Sequence, residues 1–344
     1  MADNITRTAS GQYKHTTSLA GWVFMVNPAS ASGKTKSNWK STMARFGELA
    51  AQRNIVGFES VEVRWTERPG HGVALTREAL MGGAKVVVCV GGDGTLAEAV
   101  EGFFVEDKKT EMISEDAALA FLPAGTGGDF RRSVWGDSKV SLEMALARLL
   151  DGARCRLDVG YARLSSSSLP TDQIYSHWIN VASCGSSAEI AKIANETPKF
   201  LGGLITFYQA SIRGLVGYTP CDLKLRIDGG EWETVKAVNA LAVCNGKFFG
   251  AGMMVAPAAD VFDGLLDVTI WSGFGTLDFV ALTGKIYSGE HIHVKGVRVF
   301  KCKSIELAEV TPGTDRCNVE MDGETPGSLP AAFEILPNVL PFIK

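Results

Sequence analysis

The sequence predicts a mixed α/β protein, with a doubly wound nucleotide-binding domain followed by an antiparallel β-sandwich. Three observations carry this reading. Over residues 21–156, short β-branched apolar runs alternate with segments of helical period, the pattern of a parallel sheet flanked by helices. Two of these runs open directly into glycine-rich turns, Gly91-Gly-Asp-Gly-Thr95 and Pro123-Ala-Gly-Thr-Gly-Gly-Asp129. From about residue 157 onward, short alternating strands separated by turn residues replace the strand–helix alternation. The expected organisation is a flexible tail at 1–20, the α/β domain at 21–156, the sandwich at 157–330 and a closing strand segment at 331–344.

In chain order, Trp22 to Val26 reads as a strand that ends in Asn27-Pro28. The Ser/Gly/Lys-rich loop that follows misses the phosphate-loop pattern GxxxxGK[ST], because its first glycine position holds Pro28. Ser30, Ser32, Gly33 and Lys34 still offer the hydroxyls, N–H groups and ammonium that suit phosphate; the alternative is a flexible basic loop. Asn38 to Gln52 has Trp39, Met43, Phe46, Leu49 and Ala50 at helical spacing. Val61 to Trp65 reads as a strand, and Gly72 to Met81 as a helix stopped by Gly82-Gly83. Val86 to Val90 and Ala117 to Leu122 are buried strands, and Leu142 to Leu150 is a helix closed by Asp151-Gly152.

The stretch from Val86 to Val100 organises the rest. Glycines at a strand-to-helix turn let the backbone approach a ligand, and the helix N-terminus behind them presents unpaired N–H groups to an anion. Asp93 is the odd residue in such a turn. A carboxylate beside phosphates repels them unless a cation intervenes, so we read Asp93 as a magnesium-linked acid whose amide variant would still fold. The second turn places Gly125 and Thr126 where they could reach a phosphate or a base. Asp129 there is either a ribose contact, a loop-shaping acid or a helix N-cap. Arg131 and Arg132 read as surface residues.

In the second half, strands are expected at Trp178 to Cys184, Leu223 to Ile227, Val235 to Cys244, Leu266 to Trp271, Val294 to Phe300, Ser304 to Leu307, Asn318 to Met321 and Ala332 to Leu336, with Ser165 to Ser168 a polar loop. A single helix interrupts them. Phe200, Leu201, Leu204, Ile205, Tyr208, Ile212, Leu215 and Val216 share one face, either as core or as a cover over an acyl-chain pocket. Two acidic turns remain, Asp263-Gly-Leu-Leu-Asp267 and Asp322-Gly-Glu324. Either is an ordinary turn, or the two face Asp93 across a cleft; transfer of a phosphoryl group to an alcohol needs a cation for the phosphates and a carboxylate for the hydroxyl proton.

Composition bounds the class. The chain has 344 residues, a formal net charge of −4, a pI of about 5.8 and 46% hydrophobic residues, which together argue for two globular domains and against nucleic acid as partner. Its 7 cysteines are scattered without CxxC spacing, as reduced thiols of an intracellular protein are. Nothing resembles a spanning segment of 18 or more apolar residues.

The ordered set GGDGTLxE (91–98), PAGTGxDF (123–130), NGKFFGAGMMVAP (245–257), DGLLDV (263–268), YSGEHI (287–292) and MDGE (321–324) resembles the diacylglycerol kinase catalytic family, in the soluble form shared with sphingosine kinases and bacterial lipid kinases. The resemblance spans residues 21–344 in order. It implies an NAD-kinase-like α/β domain joined to a β-sandwich, with ATP in the cleft. It implies ATP–Mg2+ contacts from Gly91, Gly92, Asp93, Gly94 and Thr95, with Glu98 of the same motif, Asn27, Gly125 and Thr126 completing the nucleotide site. Asp322 is then the general base and Glu324 supports it. A structural magnesium is implied at Asp263 and the Leu265 carbonyl, linked through water to Asp93. Two positions depart from the family: Gly128 stands where Asn is frequent, and Phe262 stands where a second acid is frequent, leaving Asp260 as the substitute ligand. The resulting expectation is a cytoplasmic, membrane-peripheral, ATP-dependent lipid kinase acting on a diacylglycerol-like or sphingoid hydroxyl. A kinase of a soluble substrate, like NAD kinase or phosphofructokinase, and a catalytically silent lipid-binding protein are the alternatives. Homodimer formation is left open.

Overall fold

Strands buried on both faces read as continuous apolar runs, and the first four strands are of this kind or lie beside it. In the computed structural model, which describes residues 16–125, 127–136, 139–166, 172–196, 218–311 and 317–344, Trp22–Val26 (β1), Glu62–Trp65 (β2), Val86–Gly91 (β3) and Ala118–Pro123 (β4) form a parallel sheet in the order β2-β1-β3-β4. Helices Lys34–Gln52 (α1), His71–Met81 (α2), Asp93–Phe103 (α3), Asp129–Trp135 (α4) and Leu142–Asp151 (α5) connect or flank these strands. Two apolar clusters lie on the two faces of the sheet, one around Leu96, Phe103 and Phe121, the other around Phe24, Phe46 and Leu146. From β1 the chain winds outward to β2, and from β3 in the opposite direction to β4. The reversal falls between β1 and β3, where open α/β sheets bind ligands beyond the strand ends.

The second half is antiparallel. Arg154–Ser166 (β5) pairs with Gln173–Trp178 (β6), and Val181–Gly185 (β7) leads into Ser186–Glu196 (α6). Cys221–Ile227 (β8), Trp232–Cys244 (β9), the short pair Phe248–Phe249 (β10) and Met253–Met254 (β11), and Leu266–Ser272 (β12) come next. After Thr276–Ser288 (α7) come Val297–Cys302 (β13), Ser304–Glu309 (β14), Asn318–Met321 (β15) and Glu324–Ile343 (β16). Between the layers sits a third core of Leu164, Trp178, Leu225, Val268, Ile305 and Phe333.

Two long strands join the halves. β16 starts in a hairpin with β15, runs antiparallel to β5 from Gly327↔Ser166 to Ile343↔Arg154, and ends parallel to β4. Among the described residues, fourteen strands therefore make one hydrogen-bonded network. The change of texture near residue 157 falls inside β5, and residues 331–343 continue a strand that begins at Glu324. Of the polar loop expected at Ser165 to Ser168, Ser165 and Ser166 end β5, paired with Ser328 and Gly327, and Ser167 and Ser168 lie outside the described residues.

Three further sequence expectations change. The strand expected over Trp178 to Cys184 is broken at Ile179-Asn180, where Asn245 Nδ2 donates to the Ile179 carbonyl at 2.7 Å and the local amides donate to Asp322. The β region carries helices α6 and α7 in addition to any helix at 200–216, a stretch that lies outside the described residues. α7 is apolar enough that its period is faint, and its end is marked only by Gly289 in the left-handed region. β13 begins at Val297 rather than Val294, because Glu290–His293 forms a 3-10 turn and Gly296 (φ +97°) turns the chain.

β5 and β6 meet at Gly160, directly under the fully buried Trp178 indole; a Cβ there would lie 2.1 Å from Trp178 Cε2. Gly160→Ala is therefore expected to destabilise the protein by about 1–3 kcal/mol through overpacking, read as a lower chemical-denaturation midpoint.

Candidate active site

A cleft of about 1090 Å³ opens at the carboxyl ends of β1, β2, β3 and β4 and is closed on its other side by β6 and the β15–β16 hairpin. Asn27, Ser30, Ser32, Gly92, Asp93, Gly94, Thr95, Glu98, Gly125, Asp322 and Glu324 all line it. Residues more than two hundred positions apart are thus brought to one volume. Gly91 lies just behind the lining, as the last residue of β3, and Thr126 lies outside the described residues. Gly33 and Lys34 are not part of the wall; Lys34 opens α1.

The glycines of the two turns serve each other. A Cβ on Gly125 would lie 2.5 Å from the Gly92 Cα, so the two turns touch backbone to backbone and form one continuous floor. Gly94 has open space where its side chain would be, facing the cleft. Asn27 ties the floor to β1, its Nδ2 donating to Thr95 Oγ1 at 3.0 Å and its Oδ1 accepting from Ala29 N at 3.0 Å.

The acids of the site are bound to backbone amides. Asp93 accepts from Asp129 N at 3.0 Å and Phe130 N at 3.2 Å, and so caps α4 from across the cleft floor. Burial raises its pKa, against the pull of those amides. Glu98 accepts from Gly70 N at 2.8 Å and Gly72 N at 2.7 Å, which seats the start of α2 and the loop Thr66–Gly70. Asp129 accepts from Ala251 N and from Arg132, which also donates to the Gly127 carbonyl at 2.7 Å. Arg132 is thus a brace of the second turn rather than a surface residue. Asp129 is the first residue of α4, with Gly128 (φ +66°) at the cap position, and burial pushes its carboxyl up to about 6.

Asp322 stands on the opposite wall. Asp322-Gly323 is the two-residue turn between Met321 and Glu324, both central residues having positive φ (+48° and +97°), the geometry for which Asp-Gly is favoured. The Asp322 carboxylate receives Ile179 N at 2.8 Å, Asn180 N at 3.0 Å and Val181 N at 3.1 Å. The break between β6 and β7 supplies these amides. Burial pushes the carboxyl up to about 6 against them, with the charge of Asp93 across the cleft adding to the rise. This backbone cradle orients Asp322; Glu324, expected to support it, is exposed on the same cleft wall. Behind the turn, Glu320 accepts from Ser183 Oγ at 2.5 Å and from Gly323 N at 2.6 Å, and burial pushes it up to about 7.

The proposed metal loop lies outside this cleft. Asp263 Oδ1 accepts from Leu265 N and Asp260 Oδ1 from Phe262 N, both at a single-residue turn. Lys301 Nζ sits where a cation would, 2.8 Å from Asp263 Oδ2, 2.8 Å from Asp267 Oδ2 and 3.1 Å from the Ala258 carbonyl. Among the described residues no group of three His, Cys, Asp or Glu is arranged to hold a metal ion. Asp263 is thus engaged by the Lys301 ammonium and the Leu265 N–H, and one Asp260 oxygen by the Phe262 N–H, so a magnesium ion at Asp260, Asp263 and the Leu265 carbonyl would have to displace Lys301.

Thr66, Glu67, Arg68, Glu101, Ser176, His177 and Trp178 also line the cleft and were not singled out from sequence. Two signals pointed to some of them. The Thr66–Gly70 loop follows a parallel strand at its carboxyl end, and Glu101 is three residues after Glu98, on the same face of α3. Nothing local marks His177.

Both halves of the chain match known family models. Residues 21–162 match the model of the diacylglycerol kinase catalytic domain, and residues 180–344 match the YegS C-terminal NAD kinase beta sandwich-like domain. A Chromohalobacter salexigens protein named probable lipid kinase YegS-like is 32% identical over 261 residues, 73% of this chain and 75% of its own. The chain belongs to the diacylglycerol kinase catalytic family. Within this family, a Mycobacterium tuberculosis diacylglycerol kinase is 25% identical over 322 residues, 93% of this chain and 94% of its own. The crystal structure of a Bacillus anthracis diacylglycerol kinase superposes with a TM-score of 0.65 at 20% identity, covering 94% of this chain and 96% of that one, and shares the fold of this family member.

Two outcomes test the site's construction. Asp93→Asn replaces one acceptor oxygen with an NH2 group facing an N–H donor, so it should cost about 1–3 kcal/mol of stability, seen in denaturant titration; the glycine-flanked turn does not tolerate the amide freely. Lys301→Met should lower the melting temperature, whereas a chelator should leave that of the wild-type protein unchanged.

Proposed function

We propose that the chain is an ATP-dependent lipid kinase that transfers the γ-phosphoryl group to a hydroxyl of a diacylglycerol-like or sphingoid lipid. The observation that carries this reading is the position of Asp322, a carboxylate in a backbone cradle, across one cleft from the paired glycine turns and the N-terminus of α3. ATP enters as its magnesium complex, whose cation neutralises phosphate charge. The α3 N-terminus and the amides of Gly92 and Gly94 receive the phosphates. Asp322 accepts the hydroxyl proton as oxygen attacks phosphorus, a role that requires it ionised and near its working pH. The acceptor reaches the cleft from a membrane surface. This is compatible with a chain in which no described helix is long and apolar enough to cross a bilayer, and with relatives named lipid kinases.

Labelled ATP offered with diacylglycerol, a sphingoid base and NAD, followed by thin-layer separation, tests the reading: labelled lipid is expected, and label only in NAD would replace it with a soluble-substrate kinase. Asp322→Asn keeps size and hydrogen bonding but cannot take the proton. Its kcat should fall about 10²–10⁴-fold with little change in binding of an ATP analogue. Because burial raises Asp322 to about 6, the wild-type rate should climb with pH through about 6 and level off above it.

A further inference from the structure

We infer that Glu101 and His177 form a clasp between the two domains that positions Asp322 against the nucleotide. The inference rests on the lipid-kinase reading for its role in turnover. Its geometry stands independently. Glu101 lies on α3, about two turns after Asp93. Its Oε2 accepts from His177 N at 2.8 Å, faces His177 Nδ1 at 3.2 Å and receives Ser176 Oγ at 3.4 Å. The His177 ring, 3% exposed, is stacked on Phe104 with centroids 3.7 Å apart and planes 9° from parallel, and its Nε2 lies 2.9 Å from the Lys109 carbonyl. A side chain of β6 is thereby keyed between the end of α3 and the loop behind it. Arg77, 3.8 Å from Glu101, Lys109 and Tyr161 complete the charged and polar surroundings, Lys109 itself paired with Glu334 of β16.

The residues immediately after His177 give the clasp its consequence. Trp178 ends β6, and the next three residues supply the amides that hold Asp322. A continuous path therefore runs from Asp93, in the phosphate turn, along a rigid helix to Glu101, across to His177, and through two peptide units to the Asp322 cradle. Asp322 is carried on a hairpin of the other domain. The long β5–β16 pair, Asp129 with Ala251 N and Ser133 with Lys247 N also join the halves, but the clasp is the contact that α3 makes with β6 next to the Asp322 cradle. Reacting groups must be held close and aligned, and a displacement of about 1 Å costs on the order of 10²-fold in rate. Glu101 and His177 are positioning residues in this scheme, and Glu101 touches no reacting atom.

The test uses the full-length protein. Glu101→Ala removes the acceptor, Glu101→Gln retains one acceptor oxygen, and His177→Phe retains the stack on Phe104 but loses both ring nitrogens. Glu101→Ala and His177→Phe should lower kcat about tenfold or more and leave KM for ATP within about twofold. Loosened amides hold the Asp322 carboxylate less well, so the acid limb of the rate profile should move upward from about 6, and Glu101→Gln should recover most of both effects. Hydrogen exchange at the Ile179–Val181 amides should quicken in Glu101→Ala, a readout that needs no turnover. A fall in kcat with the acid limb and amide exchange unmoved would make the pair mere scaffold and overturn the clasp, as would wild-type kinetics in Glu101→Ala. Absence of lipid phosphorylation by the wild-type protein would overturn the kinase reading instead, and leave the exchange result to decide the clasp.

Discussion

The interaction on which this structure depends is a carboxylate accepting backbone N–H groups from a different segment of the chain. Asp93 holds the start of α4, Glu98 the start of α2, Asp129 the turn at Ala251, Glu101 the backbone of β6, and Asp322 the break between β6 and β7. Away from the cleft, Asp158 binds Gly264 N and Asn338 N, and Asp228 binds Lys303 N and Ser304 N. Glycine-rich turns leave many amides without an intrasegment partner, and a buried amide without an acceptor costs about 1–3 kcal/mol. The acids supply those acceptors, and because they reach across elements they also set how strands and helices sit around the cleft.

These bonds do not keep the acids strongly acidic. For Asp93, Asp129, Asp158 and Asp322, burial outweighs the amide donors and the carboxyls are raised, Asp129 and Asp322 to about 6. The same placement that organises the cleft therefore leaves a carboxyl poised near neutrality at Asp322, where proton acceptance is useful. Glu101 goes the other way from these four: its pKa is lowered, desolvation being outweighed by the His177 bonds and charge. The acid that bridges the domains thus stays ionised, whereas the acid across the cleft from the glycine turns titrates near neutrality.

Much of this was legible in the chain. The parallel strands, the two glycine turns and the order of the motifs follow from local composition, and Asn27, the GGDGT turn, Gly125, Asp322 and Glu324 do meet around one cleft or directly behind it. The ammonium partner of the acidic loop was not legible. Asp260, Asp263 and Leu265 are spaced like ligands, yet Lys301, on a strand that follows α7, reaches the same oxygens. The strand break at Ile179-Asn180 was invisible for a related reason: one Asn in an apolar run does not mark a break, and it is Asn245 and Asp322, distant in sequence, that take the backbone groups out of the ladder.

The sequence by itself determined which residue types are present at each turn, which runs are buried, and that glycines and a helix start are concentrated at residues 91–95. Those properties are local: they depend on glycine's freedom, on β-branched periodicity and on the charge of single side chains. Tertiary structure alone decided what each carboxylate is paired with. A carboxylate can be satisfied by an ammonium, a metal or backbone amides, so the partner is chosen by which segment the fold delivers within about 3 Å. For Asp322 that segment is the β6–β7 break, for Glu101 it is His177, and for Asp263 it is Lys301.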